Sequence, residues 1–295
     1  MSTTTSNNNV TAKSNTTGNA ALHFHILEDI AQDLSADTNF PTCLDASLNV
    51  RNTLKDPLVA LDKVAQVVNV EPLISTRLLR LANSVAYNVT GSEISDLHLA
   101  IQRVGFETVR TTSLNVAMEQ MLHSRNVSAF EDIARLTWDH SLQVAAIGRV
   151  LARRVGRDIR GEDAMLVGMV NNIGVFYLLY RAADYPEYHE NREAMLELLT
   201  GWSDSIGENL LAVLGLPEPI LSAIHTHNSQ QHNSDPFSLA DVLYFACLLA
   251  ENNCPWLGYS SHANSEQAEQ DRARYADLLE EAQDDIREIQ YALSA

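Results

Sequence analysis

The sequence predicts an all-α protein. Apolar residues recur at three- and four-residue steps through most of the chain, the spacing that lays a single stripe along a helix. No segment alternates apolar and polar residues as a half-buried strand does, and no Gly-x-Gly phosphate loop is present. Aromatics are only 6% of the residues, while Leu, Ala, Val and Glu dominate.

Taken in order, residues 1 to about 19 are rich in Ser, Thr and Asn and are expected to be disordered, because they have little apolar surface to offset their ordering entropy. From Ala20 the pattern is helical, with Leu22, Ile26, Leu27, Ile30 and Leu34 on one face. Phe40-Pro41 breaks the chain before a second helix. Asp56-Pro57 reads as the N-cap and first residue of a third, which carries Leu61, Val64, Val67 and Val68. Glu71-Pro72 opens the next, where Ile74, Leu78, Leu81 and Val85 share a face. Asn83 and Ser84 end it, and their side chains are expected to bond local backbone.

Further helices are predicted near 94–104, 106–123, 128–155, 162–181, 203–214, 217–227, 237–252 and 266–293. The connection at 124–128 divides an N-terminal lobe, about 20–125, from a C-terminal lobe, about 126–260. Residues 261–295 read as one acidic amphipathic helix, with Tyr275, Leu278, Leu279, Ala282, Ile286 and Ile289 on one side. That stripe must bury against the body or against another subunit, so a homodimer stays open.

The net charge of −18 and the pI near 4.8 argue against nucleic acid as a partner, since phosphate binding needs a basic surface. They also disfavour anionic membranes. Cys43, Cys247 and Cys254 make no disulfide framework, and the last two match no common zinc spacing. The N-terminus lacks the basic start and apolar stretch of a signal peptide, and apolar runs such as Val242 to Ala250 are too short to span a bilayer. The expected location is the cytoplasm.

Several motifs carry a family resemblance. Leu78-Leu79-Arg80-Leu81-Ala82-Asn83-Ser84 is followed by a helix ending in Ile101-Gln102-Arg103-Val104-Gly105. Downstream come Trp138-Asp139-His140-Ser141, then Gly168 to Gly174, then Leu214-Gly215-Leu216-Pro217 with Ile224 and His227. In this order and spacing they resemble the HDOD family, the HD-related output domain of bacterial signalling proteins, over roughly residues 36–232. The resemblance implies a helical HD-like fold with two lobes, related to metal-dependent HD phosphohydrolases.

The hydrolases hold metal with a His, a His-Asp pair and a later Asp. By resemblance, His140 matches the first His and Asp241 the last Asp, while Asn171-Asn172 stand where the His-Asp pair belongs. An amide carries no charge and is a poor ligand for a transition metal. No metal or other cofactor is therefore expected. Asn171 and Asn172 are expected to be buried amides paired with neighbouring helices, and His140 a satisfied core histidine. Asp241 can equally cap the helix that starts near Ser238. His225 and His227 stand at i and i+2, not the i and i+4 of helical zinc ligands. Gly168 and Gly174 are expected to permit close helix packing.

Arg149, Arg153, Arg157 and Arg160 fall along one helical stripe, with Arg154 beside it. This local reversal of charge reads either as a solvated face or as a docking patch for an acidic partner or a phosphorylated ligand. The function expected is a non-catalytic signal-transduction module with an unidentified protein partner. Two alternatives remain: a metal-dependent phosphohydrolase acting on nucleotides or cyclic dinucleotides, and a small-molecule sensor using the relic pocket.

Overall fold

The computed structural model describes residues 8–36, 44–88, 91–155, 158–229, 235–251, 254–257 and 266–293. Among these the chain is α-helical, with one 3-10 turn and no strand. A long first helix, α1 (Asn8–Ala36), precedes the N-terminal lobe of α2 (Asp45–Leu54), α3 (Leu61–Asn69), α4 (Pro72–Asn83), α5 (Leu97–Val104) and α6 (Phe106–Leu122). The 3-10 turn Arg125–Phe130 leads into α7 (Glu131–Val155), α8 (Gly161–Val170), α9 (Ile173–Ala182), α10 (Pro186–Glu190), α11 (Arg192–Val213), α12 (Glu218–Asn228) and α13 (Leu239–Leu249). The chain closes with α14 (Glu266–Arg274), α15 (Ala276–Glu281) and α16 (Gln283–Leu293).

The two lobes share one apolar core, continuous from Ile26 of α1 to Leu293 of α16. Helix α6 is the hinge of that arrangement, touching α2, α4 and α5 on one side and α7, α8 and α9 on the other. Three of its four hydroxyls return to backbone carbonyls of the preceding turn, while Thr112 Oγ1 is buried without a hydrogen-bond partner. Thr108 and Thr111 donate to the carbonyls of Val104 and Glu107 at 2.8 and 2.9 Å, and Ser113 donates to Arg110 at 2.8 Å. A smaller apolar cluster of Leu151, Ala164, Val242, Phe245 and Ala268 seats α14 on α7 and α13.

Several elements depart from expectation. Residues 8–19, expected to be disordered, form the first turns of α1. Extending a helix already anchored by packing costs little, because each added residue brings its own hydrogen bond. The described contacts of α1 begin at Asn19, which donates to Glu197 at 2.9 Å, and include Arg181 on Asp33 at 2.5 Å. Asp56-Pro57 does not start α3. Its carboxylate accepts from the Leu58 amide at 2.9 Å in a turn, and the helix begins at Leu61 behind Ala60. Helix α11 starts at Arg192, well before residue 203, because the Asn191 side chain caps it on the Ala194 amide at 3.0 Å. The C-terminal helix is three pieces, broken at Tyr275 and Ala282, which lets it bend around the body. It packs on α7, α4 and α13 of its own chain.

Among the described residues one stretch, Gly161–Ala182, is long and apolar enough to cross a membrane, which the longest sequence run considered, Val242 to Ala250, was not. Its 18-residue apolar window has a mean hydropathy of 1.3 and is 89% buried inside the protein. It is also not one helix: the α8–α9 boundary falls at Asn171 and Asn172, where the backbone of Asn172 leaves helical values at φ −97 and ψ 14.

Candidate functional site: a relic HD centre and its arginine flank

Helix α7 runs between α8 and α13, so its buried face can present Thr137, His140 and Ser141 to both. The α8–α9 junction supplies Asn171 and Asn172, and α13 supplies Asp241 and Cys247. His140 is 1% exposed and its Nδ1 lies 3.1 Å from the Glu251 carbonyl. A carbonyl only accepts, so Nδ1 carries the hydrogen. Burial pushes the His140 pKa below its ordinary 6.5, partly opposed by that bond.

The two amides are engaged with neighbouring helices. Asn172 Nδ2 donates to Ser141 Oγ at 3.1 Å; Ser141 in turn donates to the Thr137 carbonyl at 2.9 Å. Thr137 Oγ1 also receives the Trp256 indole N–H at 3.0 Å. Asn171 Nδ2 points to Cys247 Sγ at 3.5 Å, leaving its Oδ1 buried without a hydrogen-bond partner. Cys247 and Cys254 are buried, and Cys43 lies outside the described residues.

Asp241 is buried but its carboxylate turns back on its own helix start. Oδ2 accepts from the Phe237 amide at 3.2 Å, the Ser238 amide at 2.9 Å and Ser238 Oγ at 2.7 Å. With Asp241 N donating to Ser238 Oγ, this is a capping box for α13. Among the described residues, no three His, Cys, Asp or Glu side chains converge as a metal set. His225 and His227 diverge as well: His225 faces Glu208 at 2.9 Å near the surface, while His227 is buried.

The arginine stripe is not a single exposed face. Arg149 is taken into the protein, held by Glu162 at 3.3 Å and stacked over the Tyr87 ring at 4.3 Å. Arg153 is exposed and donates to the Ala86 carbonyl at 3.2 Å. Arg160 lies beyond the helix, 3.9 Å from Asp163, and Arg157 lies outside the described residues. What buries Arg149 is the loop after α4. Asn83 fixes that loop at two points, donating to the Ile94 carbonyl and accepting from the Ile94 amide, both at 2.7 Å. The motif Leu78 to Ser84 thereby brings Ala86 and Tyr87 onto α7.

One buried group escaped the sequence reading. Arg77, immediately before that motif, is 1% exposed and donates to Asn115 and Glu119 of α6. The signal available was an arginine between apolar positions on α4, which periodicity alone assigns to the surface.

An all-helical bundle that keeps a buried histidine on α7 opposite a broken α8–α9 pair defines an HD-like protein. The chain belongs to the HDOD family: the HDOD domain matches residues 40–230. Similar solved structures include a "Putative metal-dependent phosphohydrolase" from Shewanella amazonensis SB2B, 20% identical over 92% of this chain and 99% of that one, with a TM-score of 0.71. A "Putative signal transduction protein" from Marinobacter aquaeolei VT8 is 18% identical over 94% of this chain and 67% of its own, at a TM-score of 0.57. An HDOD domain protein from Geobacter sulfurreducens is 19% identical over 90% of this chain and 96% of its own, at 0.53. These likenesses are of fold. No curated protein matches the chain.

The lowered His140 pKa has a consequence for stability. As pH falls below about 6.5, the unfolded chain takes up a proton on this residue before the folded one does, so folding weakens. His140→Gln keeps a donor for the Glu251 carbonyl but cannot titrate. Its urea midpoint should fall less steeply than that of the wild type between about pH 7 and pH 5. Equal slopes for the two proteins rule the ring out as the source.

Proposed function

We propose that this chain is a non-catalytic module of bacterial signal transduction that acts through regulated contact with a protein partner. The observation that carries this reading is the pair Asn171-Asn172, engaged with Cys247 and Ser141 at the position where related hydrolases hold metal. Asp241 fits it, because its Oδ2 accepts three hydrogen bonds in the α13 cap. Hydrolysis in this fold requires a metal-generated hydroxide, and a catalytic divalent ion normally needs three or more protein ligands plus an open position. Membership of the HDOD family and the fold shared with the Marinobacter protein fit the same role.

Metal analysis of the dialysed protein tests this directly. The expected result is well under one equivalent of iron, manganese or zinc, with no turnover of nucleoside phosphates or cyclic dinucleotides when metal is added. A full equivalent that disappears in His140→Ala overturns the proposal in favour of a hydrolase. Restoring Asn171→His and Asn172→Asp together should raise metal retention if the positional match is right.

A further inference from the structure

A cleft of about 270 Å3 lies between the C-terminal end of α7 and the α15–α16 segment, away from the relic centre. The α7 side is cationic, with Arg149, Arg153 and Arg154 beside Val150; the side from the C-terminal segment includes the apolar Leu278 and Ile289. Arg149 and Arg153 both direct Nη2 at the same acceptor, the Ala86 carbonyl, at 3.4 and 3.2 Å. Two guanidinium charges thus share one uncharged dipole. Arg149 has Glu162 as a counter-ion, but Arg153 forms no ion pair among the described residues. The Arg149 Nε is buried with no hydrogen-bond partner.

The α7 C-terminus explains why cations are tolerated here, since its dipole favours them. It does not explain their convergence on one uncharged atom. An anion in the cleft accounts for that convergence. The geometry points to a binding site for a small organic phosphate, its oxygens on the arginine wall and a compact apolar group against Val150, Leu278 and Ile289. A phosphate suits this wall better than a carboxylate, because it brings more charge and more acceptor oxygens to several guanidinium forks. Asp285 lines the cleft on the strap side and repels a second anionic group there, which favours an apolar tail. Because Leu278 and Ile289 belong to the C-terminal segment, the ligand bridges α7 to that segment and holds it down. The site is independent of the proposal for the relic centre, and variants at either leave the other in place.

Thermal melts and calorimetry of the full chain with phenyl phosphate test the assignment, with inorganic phosphate and NaCl at matched ionic strength as comparators. Phenyl phosphate at a hundredfold excess over its Kd should raise the Tm by several degrees, roughly 5 °C or more, and bind more tightly than inorganic phosphate. Arg153→Gln, on an exposed side chain, should leave the unliganded Tm unchanged and weaken phenyl phosphate binding about tenfold or more. Arg153→Lys keeps the charge without the fork and should fall between the two. Arg135→Gln, at the other end of α7, should bind as the wild type does. The site is refuted if the shift matches that of NaCl, or survives in Arg153→Gln, or is lost equally in Arg135→Gln. Equal affinity for phenyl and inorganic phosphate refutes the organic part.

Discussion

Gly174→Ala should destabilise the protein by about 4 kcal/mol or more, or prevent it from folding. A Cβ built at Gly174 meets the Ser203 carbonyl oxygen at 1.9 Å, the Gly207 nitrogen at 2.7 Å and the Ser203 carbonyl carbon at 2.9 Å. All three are backbone atoms of α11. No side chain can swing aside, so relief requires α9 and α11 to part along a fully buried contact. Gly207 faces the same crossing, but a Cβ there comes no nearer than 3.2 Å to the Gly174 nitrogen, so Gly207→Ala should cost only about 1–2 kcal/mol. Gly201, on α11 with nothing within 4 Å of a built Cβ, is the control; its alanine variant should be neutral or slightly stabilising. Urea unfolding followed by circular dichroism ranks the three. Comparable midpoints for Gly174→Ala and Gly201→Ala are incompatible with the close α9–α11 crossing.

That glycine shows how the sequence can be read and where reading stops. Close packing was legible at Gly174 and Gly168, because a glycine in an apolar helix has few other uses; at Gly168 the built Cβ meets the Ala145 backbone at 2.7 Å. The stripe Ile74, Leu78 and Leu81 was legible too, and all three are buried, whereas Val85 lies past the helix end and is exposed. The break at Asn171-Asn172 was not legible, since the flanking residues keep helical spacing and only the local backbone turns. The fate of Arg149 was hidden for another reason. Arginines at steps of four look like a solvated face, and what buries this one is a loop anchored by Asn83 and a helix more than a hundred residues downstream. For the relic centre, the sequence named the positions and the change of chemistry. It could not say that Asn172 would bond Ser141, or choose between the two roles open to Asp241, because those depend on how α7, α9 and α13 are juxtaposed.

Arg77→Met should cost about 3 kcal/mol, an effect out of proportion to the modest change in volume. The guanidinium spans from α4 to Asn115 and Glu119 of α6. Removing it leaves the Glu119 carboxylate without its counter-ion and the buried Asn115 oxygen without that donor. Glu119 keeps some access to water, its side chain being 19% exposed, so the cost sits at the lower end for a broken buried pair. If this account is right, the penalty belongs mainly to the stranded carboxylate. Adding Glu119→Met should then return about 1–2 kcal/mol of what Arg77→Met lost, a coupling read from a double-mutant cycle in urea. Strictly additive losses would mean that the two side chains do not interact. The same variant reaches the arginine flank, because Arg77 lies on the helix whose last residue, Asn83, holds the Ile94 backbone. The Ile94 amide should exchange with solvent faster in Arg77→Met than in the wild type by more than the global loss of stability accounts for. Faster exchange confined to Ile94 and its neighbours identifies α4 as the element that sets the loop carrying Ala86 and Tyr87 to Arg149. Uniform acceleration across the protein shows instead that Arg77 contributes to overall stability alone.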